Sequence, residues 1–233
     1  MTIRDVADLG TILSIWAHPD DESYLSGGVM TAAVAAGSRV VCVTATKGEA
    51  GGPGAPAETA IVRDAELMAC LAELGVGEHH WLGYPDGGCA DVDPETAIAQ
   101  VSAILTDVAP DAVLTFGPDG YTDHPDHRAV SGWVTEALAR AGHLARLHYV
   151  TGTADWFAEF RPAFAALGLP DSLPPVWPAD QLSIEVVLDE VALDRKIAGL
   201  AAQPSQTAAT RALWGDDIFR RSQSVERYRS AAR

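Results

Sequence analysis

The stretch Ala17-His18-Pro19-Asp20-Asp21-Glu22 places one imidazole and three carboxylates within five consecutive positions. A second, differently arranged sequence, His124-Pro125-Asp126-His127, adds two imidazoles and a further carboxylate. These are side chains that hold divalent cations. A catalytic zinc takes about three protein ligands from neutral His, carboxylate or thiolate and keeps one position open for water. His18 and Asp21 are three apart where a strand should turn into a helix, and Glu22 is expected to serve the first turn of that helix. His127 lies three beyond His124, on the first turn of a helix whose first position suits Pro125 because the missing N–H is not needed there. One motif can supply two ligands and the other one. Asp20 and His124 then remain near the metal without being required as ligands, and they are the residue types that act as general base and general acid. Taken alone, either motif is an ordinary polar turn in which an Asp caps the following helix. The metal reading needs a fold that brings both to one place.

The intervening elements provide such a fold. Thr11–Ala17 is a short β-rich apolar run that ends at the first motif, and Asp111–Phe116 is another that ends just before the second. Arg39–Thr44 and His80–Gly83 read as further strands, and Arg146–Thr151 as a fifth. Helices are expected over Tyr24–Ala36, closed by Gly37, over Ala57–Leu74, ended by Gly75, and from Pro94, capped by Asp93. A fourth runs from Pro125 to Ala141. In the second helix Ile61, Ala65, Met68, Leu71 and Leu74 form the expected buried face, which leaves Arg63 and Glu66 as a surface ion pair by default. Alternation of strand and helix specifies an α/β, Rossmann-like, doubly wound and mainly parallel sheet with helices on both faces. With strand order 3-2-1-4-5, strands one and four are neighbours where the winding reverses, and ligands bind outside their carboxyl ends. Both His-Pro-Asp motifs then face one crevice.

Downstream, Asp155–Asp180 carries several prolines and aromatic residues and reads as an irregular excursion or lid with room for one short helix. Leu182–Leu188 reads as an edge strand, a helix starts at Asp189, and the tail beyond Thr207 is expected to be helical. The whole of 1–233 is read as one domain.

Composition narrows the partners. A formal charge of −16, spread along 233 residues, lacks the clustered Lys and Arg that neutralise nucleic-acid or lipid phosphates, so the expected partner is a small molecule, with neither nucleic acid nor membrane. No stretch approaches the ~20 apolar residues of a bilayer span, and the acidic start does not resemble a signal peptide, so the expected location is cytoplasmic. Three cysteines, Cys42, Cys70 and Cys89, without CxxC spacing, read as buried thiols. His79, His80, His143 and His148 lack neighbouring carboxylates in suitable spacing and read as surface or packing residues. The oligomeric state is open, a homo-oligomer included.

The paired motifs A-H-P-D-D-E and H-P-D-H-R-A resemble the signatures of the PIG-L / LmbE-like zinc-dependent de-N-acetylases. T-A-T-K-G-E-A-G-G, R-D-A-E-L, L-G-Y-P-D-G-G and K-I-A-G-L-A-A-Q-P-S-Q extend the likeness over most of the chain. The resemblance implies a zinc ion, or another divalent metal, on His18, Asp21 and His127, with Asp20 as base. It also implies that His124, oriented by Asp126, stabilises the oxyanion and protonates the leaving amine, and that Arg63 and Asp86 contact an N-acetylated, sugar-containing substrate. The family's oxyanion tyrosine would fall at Thr122, with Tyr121 one residue further away as the substrate-contact candidate. Gln203 stands where the family commonly has His, and Asp123 where Gly is common. Two other readings compete. A phosphoesterase would share two ions among His18, Asp20, Asp21, Asp126 and His127. A nucleotide binder would use the crevice without chemistry, although the turn after strand one lacks GxGxxG and presents carboxylates where phosphates would sit.

Overall fold

The computed structural model describes residues 2–142, 144–168 and 176–231. Its centre is a seven-stranded sheet in the order β3-β2-β1-β4-β5-β7-β6. The strands β1 (Ile12–Trp16), β2 (Val40–Thr44) and β4 (Ala112–Thr115) are buried along their whole length, as strands covered on both faces must be. Flanking them, β3 (Glu78–Trp81) and β5 (Arg146–Val150) continue the parallel arrangement. Ile12 pairs with Val40 on one side and Ala112 on the other, so β1 and β4 are adjacent and the winding reverses between them, as expected.

Two antiparallel strands complete the sheet, β6 (Ile184–Val187) at the edge and β7 (Val225–Ser230) between it and β5. Here the expectation of a helical tail is corrected. Helices α9 (Pro204–Trp214) and α10 (Asp216–Ser222) do form, but the chain then extends into β7. The inward positions of β7 are Glu226 and Tyr228, so its alternation does not register as apolar.

The helices differ from expectation in three places. The first is two segments, α1 (Asp21–Leu25) and α2 (Gly27–Ala35), broken at Ser26, whose hydroxyl lies 3.0 Å from Ser14 Oγ and accepts from Trp16 Nε1 in the core. In α3 (Pro56–Leu74) the buried stripe is Thr59, Arg63, Leu67, Cys70, Leu71 and Leu74, whereas Ile61 is 71% exposed. The periodicity fits two neighbouring stripes, and the one that wins contains Arg63, whose two terminal nitrogens donate to backbone carbonyls inside the protein. The Arg63–Glu66 surface pair does not form: Arg63 turns into the protein, and Glu66 accepts from the backbone and hydroxyl of Ser205. Within the expected lid a regular helix, α7 (Ala154–Ala166), carries Trp156, Phe157, Phe160 and Phe164. The remainder of that stretch over 169–175, and His143, lie outside the described residues.

Elsewhere α4 (Pro94–Val108) is capped by Asp93 as expected, a single irregular turn α5 (Gly120–Asp123) precedes α6 (Pro125–Ala141), and α8 (Glu190–Ala201) is capped by Asp189. The three cysteines are free and buried. His79 bonds Thr44, and His148 bonds Ser183, so both are packing residues. No helix among the described residues is long and apolar enough to cross a membrane.

Candidate metal centre

Strand β1 runs directly into the first motif, and the turn there is strained. Asp20 has φ 124° and ψ −33°, a backbone region that costs a non-glycine residue on the order of 1–3 kcal/mol. Its neighbours hold it. Glu22 Oε2 accepts the Asp20 N–H at 3.0 Å, and Arg63 Nη2 donates to the Pro19 carbonyl at 2.5 Å. Arg63 Nη1 also donates to Gly48 O at 2.8 Å, which clamps the loop after β2 onto the motif. A Cβ on Gly48, at φ +64°, would lie 2.3 Å from the guanidinium, so this loop position requires glycine.

Glu22 is fully buried rather than serving a solvent-facing first turn. Its Oε1 accepts from Gln203 Nε2 at 2.8 Å, and Ser23 Oγ donates to Gln203 Oε1 at 2.6 Å. Burial raises the Glu22 carboxyl to about 7 despite these donated hydrogen bonds. Nothing in the motif spacing brings Glu22 and Gln203 together; the available signal is the amide standing where a family histidine is common.

The second motif arrives from β4. Phe116, just past the strand, stacks on the His127 ring with centroids 4.0 Å apart and planes 10° apart. His124 caps α6, its Nδ1 accepting the Asp126 N–H at 3.2 Å, which leaves Nε2 as the nitrogen that carries a proton.

The two motifs meet. His18 Nδ1 lies 3.2 Å from His127 Nε2, and the Asp21 carboxylate lies 3.5 Å from the former and 3.4 Å from the latter. Ligands bound at ~2.0–2.1 Å to a tetrahedral zinc are about 3.3 Å apart, so these three donors have the spacing a divalent cation needs. Their protonation agrees. His127 Nδ1 donates to Gly120 O at 2.9 Å, which leaves an Nε2 lone pair facing inward. His18 Nε2 donates to Asp126 at 3.1 Å and to Asp86 at 3.0 Å, which leaves an Nδ1 lone pair. Two lone pairs and a carboxylate point at one spot, an arrangement that a divalent cation would satisfy. A proton can substitute: burial alone would lower the His18 value, but its bonds to Asp126, Asp21 and Asp86 push it up to about 12. A ring nitrogen of His124 lies within 4.8 Å of ligand atoms on His18 and His127.

The remaining candidates are placed as follows. The Asp126 carboxylate is fully buried and accepts from the backbone of Gly87 at 2.7 Å and of Cys89 at 3.0 Å, besides His18. It thus supports the His18 ring, while only its backbone touches His124. Asp86 accepts from Ala50 N at 2.8 Å, and its bond to His18 outweighs burial and lowers it to about 2. Burial, then the Asp21 carboxylate, raise Asp20 well above the usual carboxylate range, with Arg63, 3.6 Å away, opposing. Arg63 and Asp86 border the cleft beside His124, whereas Tyr121, at φ 60°, borders a separate apolar cavity.

An α/β sheet that gathers two histidines and an aspartate at its switch point, with the Asp20 carboxylate and the His124 imidazole beside them, has the donor set that suits a metal-dependent hydrolase. Comparison with known proteins narrows the class. The profile of the PIG-L family, described as GlcNAc-PI de-N-acetylase, matches residues 13–138. A 1D-myo-inositol 2-acetamido-2-deoxy-alpha-D-glucopyranoside deacetylase of Acidothermus cellulolyticus is 30% identical over 94% of this chain and 87% of its own length. The conserved protein TT1542 of Thermus thermophilus superposes with a TM-score of 0.67 at 25% identity, over 96% of this chain and 95% of that one. N,N'-diacetylchitobiose deacetylase of Pyrococcus horikoshii shares the fold, with a TM-score of 0.65 at 20% identity over 97% of this chain and 85% of that one. The chain belongs to the PIG-L family of de-N-acetylases.

Proposed function

We propose that this protein is a zinc-dependent N-deacylase acting on a small, sugar-containing amide. The observation that carries the reading is the pair of inward lone pairs on His18 and His127 beside the Asp21 carboxylate, with Asp20 and His124 free of that set. A divalent cation held there supplies a Lewis acid for the amide carbonyl and acidifies water. Asp20 takes the proton of the attacking water, from a backbone position fixed by Glu22 and Arg63. His124 Nε2 stabilises the oxyanion and delivers a proton to the departing amine. The named relative's acetamido-sugar substrate makes an acetamide on a sugar the first compound class to assay.

Metal analysis with an amine-release assay tests this reading. One tight ion per chain and amine release abolished by a chelator are the expected results. Two tight ions with phosphate-ester hydrolysis and no amine release would establish the two-ion phosphoesterase instead.

Asp126→Asn provides a separate test of how the metal is held. The buried carboxylate fixes the His18 ring and its proton. Losing such a partner is expected to weaken metal binding by roughly 10–100-fold, read by competition with a chromogenic chelator. Unchanged affinity would show that Asp86 alone orients His18.

A further inference from the structure

The metal centre lies between two cavities of opposite character. The polar cleft is bordered by His18, Arg63, Asp86 and His124, none of which reaches the second cavity. That second cavity, about 340 Å³, presents mainly apolar surface, with walls from Leu25, Val150, Trp156, Phe164 and Trp214, and Lys196, Glu226 and Arg227 also border it. Asp20, Asp21 and His127 border both, so the reacting carbonyl would sit at the junction.

Resting on the deacylase reading above, the placement of the proton donor fixes the direction of the substrate. His124 must reach the leaving nitrogen, and it borders only the polar cleft; the amine half therefore lies there. The acyl half extends past Asp21 and His127 into the apolar cavity. An acetyl group presents one methyl, about the ~30 Å³ share of a single water, and would leave most of that volume unfilled. Cavities that enclose whole drug-sized groups begin at ~300 Å³. The aromatic wall is preformed: Phe164 lies 5.5 Å from Trp156 and 5.3 Å from Trp214, centroid to centroid. Trp214 Nε1 is satisfied by Ala163 O, so its ring presents carbon to the space.

We infer that the apolar cavity is an acyl subsite, and that the preferred substrates carry an unbranched apolar N-acyl chain longer than acetyl. The reaction is otherwise the same: water adds to the carbonyl, the C–N bond breaks, the amine leaves with a proton from His124, and a fatty carboxylate replaces acetate.

The test is a chain-length series on one amine, N-acetyl-, N-butyryl-, N-hexanoyl- and N-octanoyl-glucosamine, with the zinc-loaded protein. Each buried methylene is worth roughly fourfold, so kcat/KM should rise over the four added methylenes from acetyl to hexanoyl by up to about 250-fold. Thr210→Trp, on the half-exposed face of α9 that borders the cavity, adds bulk there. It should reduce the hexanoyl-to-acetyl ratio at least about tenfold. A wild-type protein that cleaves acetyl as well as or better than hexanoyl overturns the acyl subsite and leaves the deacylase reading standing. Amine release from no member of the series overturns both.

Discussion

Asp20→Asn is expected to retain the cation and to lose about 10²–10⁴-fold in turnover, the range that a positioned proton-transfer group contributes. The change keeps the shape of the side chain and removes its charge, including the 3.6 Å ion pair with Arg63. Asn has the same shape and, like Asp, tolerates unusual backbone regions, so φ 124° and the Glu22 and Arg63 contacts should persist. The metal donors, His18, Asp21 and His127, are untouched. What is lost is the carboxylate that takes a proton from water. Metal content by elemental analysis and kcat on a cleavable acetamide check this together. Near wild-type turnover would remove Asp20 from the base role, and loss of metal would instead make Asp20 a ligand. His18→Ala gives the opposite pattern, because it removes an inward lone pair: metal content falls first and activity with it.

Much of this site is legible in the sequence because its parts sit at strand ends. Apolar runs at Thr11–Ala17 and Asp111–Phe116, together with the rule that ligands bind at the switch point of a doubly wound sheet, are enough to bring residues about a hundred positions apart into one crevice. What sequence does not show is how polar groups are satisfied in the interior. Glu22 reads as a first-turn helix residue, yet it is buried against Gln203, and only tertiary structure makes that pairing. Arg63 falls on the wrong side of α3 for a related reason: hydrophobic periodicity assigns every Arg to solvent, while this one is 4% exposed because two backbone carbonyls receive its guanidinium. The family resemblance gives Asp126 the task of orienting His124; its backbone N–H bonds His124 Nδ1, and its carboxylate bonds His18. The spacing of the motif, which puts Asp126 between two histidines, is compatible with either.

Glu226→Leu is expected to be the most destabilising single change away from the metal. Glu226 lies on β7, the strand that periodicity overlooks, and it is 4% exposed. Its Oε1 is 2.7 Å from Lys196 Nζ on α8, and its two oxygens accept the N–H groups of Gly28 and Val29 at 2.7 Å each. One carboxylate therefore caps the amino end of α2 and neutralises an ammonium that is only 1% exposed. Gly28 is part of the same fit, because a Cβ there would lie 2.3 Å from Leu188 and keep the helix end from approaching. Removing the carboxylate leaves Lys196 with only the Tyr24 carbonyl, 3.0 Å away, and orphans two N–H groups. Breaking one side of a buried pair costs about 3–5 kcal/mol, which at ~2–4 °C per kcal/mol lowers Tm by roughly 10 °C in a domain of this size. The double change Glu226→Leu with Lys196→Met removes both charges, so it should be more stable than Glu226→Leu alone, and thermal or urea unfolding measures the difference. A double variant no better than the single one would assign the whole cost to the uncapped α2. Because α2 continues from α1, which carries Asp21, the cap also bears on the metal centre: the single variant should bind its cation normally when cold and lose it together with the fold on heating.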